Sequence, residues 1–154
     1  MTVTTWHTIR EASLASGLSE STLRYYEQIG IIPPIARDRN GRRAYTDADL
    51  ERLGTIACLS ATGMPLESMR AYLRNTQDGA DGAKRQMELL DAQALRLAAR
   101  AEAIRMQQAY VSLKTLYWRA VAEGRQRDAD ELIEEHRDVI EQVKRLQDGG
   151  AVSR

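Results

Sequence analysis

The segment from Ser21 to Pro34, with the sequence STLRYYEQIGIIPP, carries side chains suited to binding another molecule. It predicts a short helix, because Ser19 or Ser21 can accept an otherwise unpaired backbone N–H at the helix start. Arg24 and Tyr25 follow Ser21 by three and four positions, so these side chains share one helix face. A guanidinium, a phenol and a hydroxyl together can bind phosphates and the edges of nucleic-acid bases. The alternative is a surface helix whose tyrosines only pack under a neighbouring element.

A second short helix is predicted before this one. It begins after Thr8, a good capping residue, and ends at Gly17, a residue that favours the left-handed conformation of a helix end. Two helices joined by a short turn that contains glycine form a helix-turn-helix pattern. This pattern is common, so it does not assign a function by itself.

A basic hairpin is predicted after the proline pair Pro33-Pro34. Asn40-Gly41 favours a tight turn, because both residues tolerate a positive φ. The turn is flanked by four arginines, namely Arg37, Arg39, Arg42 and Arg43. Behind a helix-turn-helix, such a ribbon would form a wing that contacts the phosphate backbone of DNA and releases counterions. The alternative is a solvated basic hairpin without a partner.

Two more helices are predicted before the first break in the pattern. Thr46 caps one of them, with Asp49 three residues later as the second member of a capping box, and Pro65 opens the other. The glycine- and aspartate-containing segment 75–82 then interrupts the helices. We therefore assign residues 1–76 to a winged helix-turn-helix domain.

Residues 83–119 predict one long helix with an apolar residue at every seventh position. The main series is Leu90, Leu97, Ile104, Val111 and Trp118, and a second series starts at Met87. Five consecutive repeats predict a coiled coil, and a monomer would leave the stripe in water. We expect this helix to form a homodimer. The alternative is an intramolecular hairpin with an amphipathic C-terminal helix predicted at residues 125–148.

The composition excludes several classes of protein. The 22 Lys and Arg balance the 22 Asp and Glu, so any basic surface must be local. The single cysteine, Cys58, excludes an intrachain disulfide and any multi-thiolate zinc or iron–sulfur site. There is no glycine-rich phosphate loop, metal-ligand cluster or Ser/His/Asp arrangement, so we expect no enzyme activity, no cofactor and no metal site. There is also no apolar run long enough for a signal or membrane helix, which predicts a cytoplasmic protein.

Taken together, these segments resemble the MerR family of bacterial transcription regulators. The resemblance rests on IREASLASGLS, STLRYYEQIGIIPP, RDRNGRRAYT and GMPLESMRAYL; it runs through residues 1–76 and covers the coiled coil by architecture only. It implies a mainly α fold with a winged helix-turn-helix domain, a long dimerisation helix in an antiparallel coiled coil, and a C-terminal helix. It also implies a homodimer on a palindromic promoter, which distorts the DNA for RNA polymerase once an effector binds.

The resemblance also implies which residues contact double-stranded promoter DNA. It assigns Thr22, Arg24, Tyr25 and Tyr26 to the major-groove helix, and Arg42, Arg43 and Tyr45 to the wing. The residue patterns described above add Ser21 and Arg39. Tyr26 lies one step round from the face of Arg24, so it can instead be a packing residue.

The resemblance narrows the choice of effector. Metal-sensing and iron–sulfur members use several cysteines, and multidrug-sensing members carry a large ligand domain, for which the residues after Trp118 are too few. Sensors of aldehydes and related electrophiles carry one cysteine on the helix after the wing, where Cys58 lies. However, no Lys, Arg or His lies within one helical turn of Cys58, and cysteine is often simply buried. A non-covalent ligand near the coiled coil, or a purely architectural DNA-binding role, stays as an alternative.

Overall fold

The computed structural model describes residues 3–150 of the protein and is mainly helical over that range. Its elements are α1 (Ile9–Ser16), α2 (Glu20–Gln28), β1 (Ala36–Arg37), β2 (Arg43–Ala44), α3 (Asp47–Ala61), α4 (Leu66–Asn75), α5 (Gly79–Ala122), α6 (Gln126–Glu135) and α7 (Arg137–Gly150). Two compact units, Met1–Gln93 and Ala94–Arg154, can be separated. The elements confirm the predicted fold class, which is a winged helix-turn-helix followed by one long helix and further helical structure.

The helix-turn-helix consists of α1 and α2. Thr8 caps α1 in a capping box, and α1 ends at Gly17 with φ +76°, as its sequence predicts. Ser19, rather than Ser21, caps α2, because its hydroxyl accepts the backbone N–H of Thr22 at 3.1 Å. The side chain of Ser21 is exposed, and its hydroxyl lies 3.0 Å from that of Ser19.

The wing forms as predicted, but the backbone conformation of its turn differs from the one predicted for Asn40-Gly41. Only Gly41 adopts a positive φ, at +74°, whereas Asn40 does not. The N–H of Asp38 donates to the carbonyl of Arg42 at 2.8 Å, which leaves a three-residue loop. One carboxylate oxygen of Asp38 also accepts the backbone N–H groups of Asn40 and Arg42, at 2.8 and 2.9 Å. Asp38 thereby orders the turn that the sequence assigns to Asn40-Gly41.

A backbone bridge ties the N-terminal segment to the wing. His7 and Tyr45 exchange two backbone hydrogen bonds of 2.8 Å each. The ring Nε2 of His7 lies 2.7 Å from a carboxylate oxygen of Asp47, at the start of α3. His7 is thus a structural residue at the edge of the core. No group of three or more potential metal ligands occurs within residues 3–150.

The core of the first unit lies between α1 to α4 and the base of the wing. Its buried side chains are Ala12, Leu23, Tyr26, Ile31, Ile32, Ile35, Tyr45, Leu53, Ile56, Leu59, Met64 and Met69. Helix α3 contributes Leu53, Ile56 and Leu59 to this core and begins with the predicted capping box of Thr46 and Asp49. This core holds α2 and the wing on one side of the unit.

Helix α5 begins at Gly79, four residues before the predicted start at residue 83, and it ends at Ala122. Its first turns pass very close to the end of α4. A Cβ atom at Gly82 would lie 2.0 Å from the carbonyl oxygen of Asn75, which is far inside van der Waals contact. Glycine at this position is therefore required for α5 to leave α4 at this short distance.

The prediction of a single C-terminal helix at residues 125–148 is wrong. The segment is divided into α6 and α7 at His136, whose backbone has φ −114° and ψ 30°. Both the backbone N–H of His136, at 3.3 Å, and its ring Nδ1, at 2.9 Å, lie against the carbonyl of Leu132. The bond from the N–H of His136 is the ordinary helical one, between residues four positions apart, so the division lies in the backbone angles of His136.

We predict opposite effects for alanine at two helical glycines of the first unit. Gly82→Ala should destabilise the unit by roughly 1–3 kcal/mol, because the added methyl overlaps a backbone carbonyl. Gly54→Ala should stabilise it by about 0.5–1 kcal/mol, because no atom lies within 4 Å of its Cβ position and alanine favours a helix. Urea unfolding followed by circular dichroism measures both. A stabilising Gly82→Ala would contradict the close contact between α4 and α5.

Candidate nucleic-acid interface

Helix α2 divides the predicted contact residues into an exposed group and a buried one. Ser21, Arg24 and Tyr25 lie together on its exposed face, and Arg24 makes only a surface ion pair of 3.2 Å with Glu20. Thr22 is half-buried, and its hydroxyl lies within hydrogen-bonding distance of the capping serine. The exposed face can therefore present a cation, a phenol and a hydroxyl to a partner, as the residue spacing predicts.

The side chains of Tyr26 and Tyr45 are buried in the core. Tyr45 is 0% exposed, and its hydroxyl has no hydrogen-bond partner within residues 3–150. Burial raises the pKa of the Tyr45 phenol, since the charged form loses its hydration. Direct DNA contact by either side chain would require this core to open, so their burial corrects their assignment as contact residues. They position α2 and the wing instead.

The carboxylate of Glu27 joins α2 to both strands of the wing. Its Oε1 accepts hydrogen bonds from Nε and Nη2 of Arg43, at 3.1 and 2.9 Å, and lies 3.5 Å from a guanidinium nitrogen of Arg37. Its Oε2 accepts the backbone N–H of Ile35 at 2.8 Å. The Glu27 side chain is only 13% exposed, so these contacts act with little solvent screening. Sequence reasoning missed this residue, because an acid on a helix does not name its partner.

A basic groove of about 610 Å³ lies between α1, α2 and the wing. It is lined by Thr8, Ile9, Arg10, Arg24, Arg37, Asp38, Gly41, Arg42 and Arg43. Asp38 is the one acid among them, and its Oδ1 already accepts two backbone N–H groups. Within the described range 3–150, Arg10 and Arg42 form no ion pair with an acid. The groove therefore carries a net positive charge that suits a phosphate backbone.

The four wing arginines have two different roles. Arg43 and Arg37 share the charge of Glu27, whereas Arg39 and Arg42 are exposed and form no ion pair within residues 3–150. Arg10 of α1 adds a further arginine that sequence analysis missed. Its position in a short helix gives no signal, because only the fold brings α1 beside the wing.

Cys58 is exposed on α3 and does not line the basic groove. Its neighbours along the inner face of α3, Ile56 and Leu59, are buried. The thiol is therefore open to solvent in the single chain and is not a core residue there.

A family comparison identifies the first unit. Residues 7–76 match the family described as "MerR HTH family regulatory protein". The match includes α1 to α4 and the wing. The first unit therefore carries a MerR-family helix-turn-helix domain.

Several proteins are similar to this chain. An uncharacterized HTH-type transcriptional regulator of Haemophilus influenzae is 34% identical over 87 residues, which cover 56% of this chain and 64% of the relative. A crystal structure of HiNmlR, described as a MerR family regulator lacking the sensor domain and bound to promoter DNA, superposes with a TM-score of 0.65 and 27% identity over 81% of this chain and 96% of that one. A putative MerR family transcriptional regulator from Listeria monocytogenes has a TM-score of 0.64 and 28% identity over 84% of this chain and 98% of that one.

The descriptions of these proteins, and the lengths over which the chain matches its relatives, bear on the predicted function. All three proteins are described as regulators, which confirms the prediction that the chain is not an enzyme. The chain spans about half the length of other curated relatives that it matches. Among the helices of residues 3–150, none combines the length and apolar character needed to cross a membrane.

We predict that Glu27→Gln lowers the free energy of unfolding of the first unit by about 1–3 kcal/mol, because the nearly buried guanidinium of Arg43 loses its counter-charge. Glu20→Gln is the matched control. It breaks an exposed pair with Arg24 and should cost no more than about 0.5 kcal/mol. Urea unfolding monitored by circular dichroism compares the two variants. Equal losses would mean that Glu27 does not hold the wing more firmly than a surface ion pair would.

Proposed function

We propose that the protein is a DNA-binding transcription regulator that binds a palindromic promoter as a homodimer. The observation that carries this proposal is the basic groove between α1, α2 and the wing. Its positive charge is concentrated on one surface of a chain with a net charge of zero. A localised charge of this kind favours a polyanion over non-specific attraction to anionic surfaces in general.

In this proposal α2 enters the major groove. Arg24 reads a base edge or contacts a phosphate, while Ser21, Thr22 and Tyr25 contact the DNA around it. The wing arginines Arg39 and Arg42 contact phosphates. Arg43 supports them through Glu27, and the buried Tyr26 and Tyr45 hold α2 and the wing in place. The exposure of Arg24, Arg39 and Arg42 supports these roles.

The homodimer is supported by the apolar stripe of α5. Leu90, Leu97, Ile104, Val111 and Trp118 are between 40% and 63% exposed in the single chain. The same stripe on a second copy can cover these side chains in an antiparallel coiled coil. Two-fold symmetry would then present two α2 helices to two half-sites, as a palindrome requires.

Regulation would follow from a change of DNA shape at the promoter. A dimer that bends or untwists the spacer between its half-sites alters the alignment of the promoter elements that RNA polymerase reads. The regulator name of the H. influenzae relative and the promoter DNA bound to HiNmlR support this function. Such a protein acts in the bacterial cytoplasm, where the chromosome lies. The long helix argues against the alternative of a purely architectural protein, which has little need for it.

The proposal is tested by selection from a pool of random-sequence duplexes with the full-length chain. We expect enrichment of a palindrome, bound by two chains per duplex in sedimentation. A promoter that carries the selected palindrome should then change its transcript level when the protein is added to purified RNA polymerase. Absence of any enriched sequence would reject DNA recognition, and an unaltered transcript level with the protein bound would reject the regulator.

Two arginine substitutions should have different effects on the selected duplex. Arg24→Ala should cost about 1–3 kcal/mol and relax the preference at one base position, if Arg24 reads a base. Arg42→Ala should weaken binding to all sequences and reduce the slope of log K against log salt by about one. Fluorescence anisotropy at several salt concentrations measures both. Arg145→Ala, on the exposed side of α7, removes one positive charge as a control and should change neither quantity.

The exposed thiol supports Cys58 as a sensor of electrophiles. Its thiolate would add to the carbonyl carbon of an aldehyde, and the alkoxide formed would take a proton to give a hemithioacetal. We predict that an aldehyde changes transcription from the selected promoter with the wild type but not with Cys58→Ser, while both bind DNA equally. The same response from both proteins would exclude Cys58 and favour a non-covalent ligand near the dimer helix.

A further inference from the structure

A large aromatic side chain lies in solvent beside the basic wing. Trp6 immediately precedes the backbone bridge between His7 and Tyr45, and 55% of its surface is exposed. The side chain borders a cavity of about 360 Å³ that is also lined by Arg37, Asp38, Arg39 and Ala44. The bridge holds Trp6 against the wing, so its position does not depend on a free N-terminal segment.

Trp6 borders a second face of the wing, which meets the basic groove at Arg37 and Asp38. Successive side chains of a strand point to opposite faces, and Arg43 points to Glu27 on α2. Ala44 therefore faces the other way, towards Trp6. Accordingly, neither Trp6 nor Arg39 lines the basic groove. The two faces of the wing share Arg37 and Asp38, whereas Trp6, Ala44 and Arg39 belong only to the second face.

The charge of this second face suits an anion. Asp38 is the acid of its lining, and Oδ1 of Asp38 is occupied by the backbone N–H groups of Asn40 and Arg42. Arg39 makes no ion pair within residues 3–150, whereas Arg37 reaches Glu27 at 3.5 Å. The face combines an uncompensated guanidinium with an indole ring and an indole N–H donor.

We propose that Trp6 contacts the sugar-phosphate backbone of duplex DNA on this second face of the wing. This inference rests on the proposed DNA-binding function. The indole N–H would donate to a phosphate oxygen, the ring would lie on a deoxyribose, and Arg39 would pair with a neighbouring phosphate. Such a contact reads no base and adds no charge. Trp6 therefore increases the affinity for every sequence without changing the salt dependence.

The experiment measures the affinity of the full-length chain for the selected palindromic duplex and for a scrambled duplex of the same length. Trp6→Ala should weaken binding to both by about tenfold, which is the effect of losing one hydrogen bond to a charged group. The slope of log K against log salt should stay at its wild-type value, whereas Arg39→Ala should lower it by about one. Leu14→Ala, which removes an exposed apolar side chain from α1, should leave the affinity unchanged.

Intrinsic fluorescence gives a second readout that does not depend on a truncated side chain. The chain has two tryptophans, so Trp6→Phe leaves Trp118 as the only one. Unlabelled duplex should quench the emission of the wild type and leave that of Trp6→Phe unchanged. This readout keeps the test decisive if Trp6→Ala affects folding.

Three results would overturn the inference. The first is equal quenching of the wild type and Trp6→Phe by the duplex, together with an unchanged DNA affinity of Trp6→Ala. Because the wild type would still bind DNA, the proposed function would stand. The second is a loss of DNA affinity in Trp6→Ala that disappears when the protein concentration is high enough for all chains to be dimeric. This result would assign Trp6 to a contact with a second copy of the chain. The third is failure of the wild type to bind either duplex, which would reject the proposed function as well.

Discussion

A nearly buried carboxylate connects α2, the second helix of the helix-turn-helix, to the wing beside it. Glu27 accepts hydrogen bonds from the guanidinium of Arg43 and from the backbone N–H of Ile35, so one side chain holds the wing strand and the segment that leads into it. Because three hydrogen bonds hold the carboxylate of Glu27 between α2 and the wing, the spacing between these elements is restricted. The convergence of arginines into one groove depends on this restriction. It also separates arginines with a structural role, such as Arg43, from those left uncompensated at the surface, such as Arg42.

A second constraint joins the core of the first unit to the helix that carries the apolar stripe. The first turns of α5 belong to the first unit, where the side-chain amide of Gln93 donates to the carbonyl of Thr62 at 2.8 Å and that of Gln86 donates to the carbonyl of Tyr72 at 2.7 Å. With Gly82 in close contact with the end of α4, these bonds make the start of α5 part of that core. Helix α5 begins inside the first unit and continues into the second, so the stripe proposed for dimerisation is covalently continuous with the unit that carries the basic groove. The placement of charged residues also depends on the fold, because a chain with a net charge of zero presents a basic groove on one surface.

The sequence by itself determined most of the local structure. Thr8 and Thr46 begin helices where predicted, because a cap depends on backbone groups within three residues of it. The long helix follows from the apolar repeat, which is a property of spacing along one chain. The exposed triad that includes Arg24 was predictable for the same reason, since residues three and four apart share a helix face. The family followed from the combination of these local segments.

Only the tertiary structure decided which of the predicted side chains face a partner. Tyr45 looks like a wing residue in sequence, but its backbone bridge to His7 turns the side chain into the core. Arg43 and Arg42 are adjacent and chemically identical, yet one is bound by Glu27, sixteen positions earlier, and the other is uncompensated. Arg10 lines the groove because α1 lies beside the wing. These outcomes depend on contacts between segments far apart in the chain, whose geometry is set by packing of the whole core and which local residue patterns do not encode.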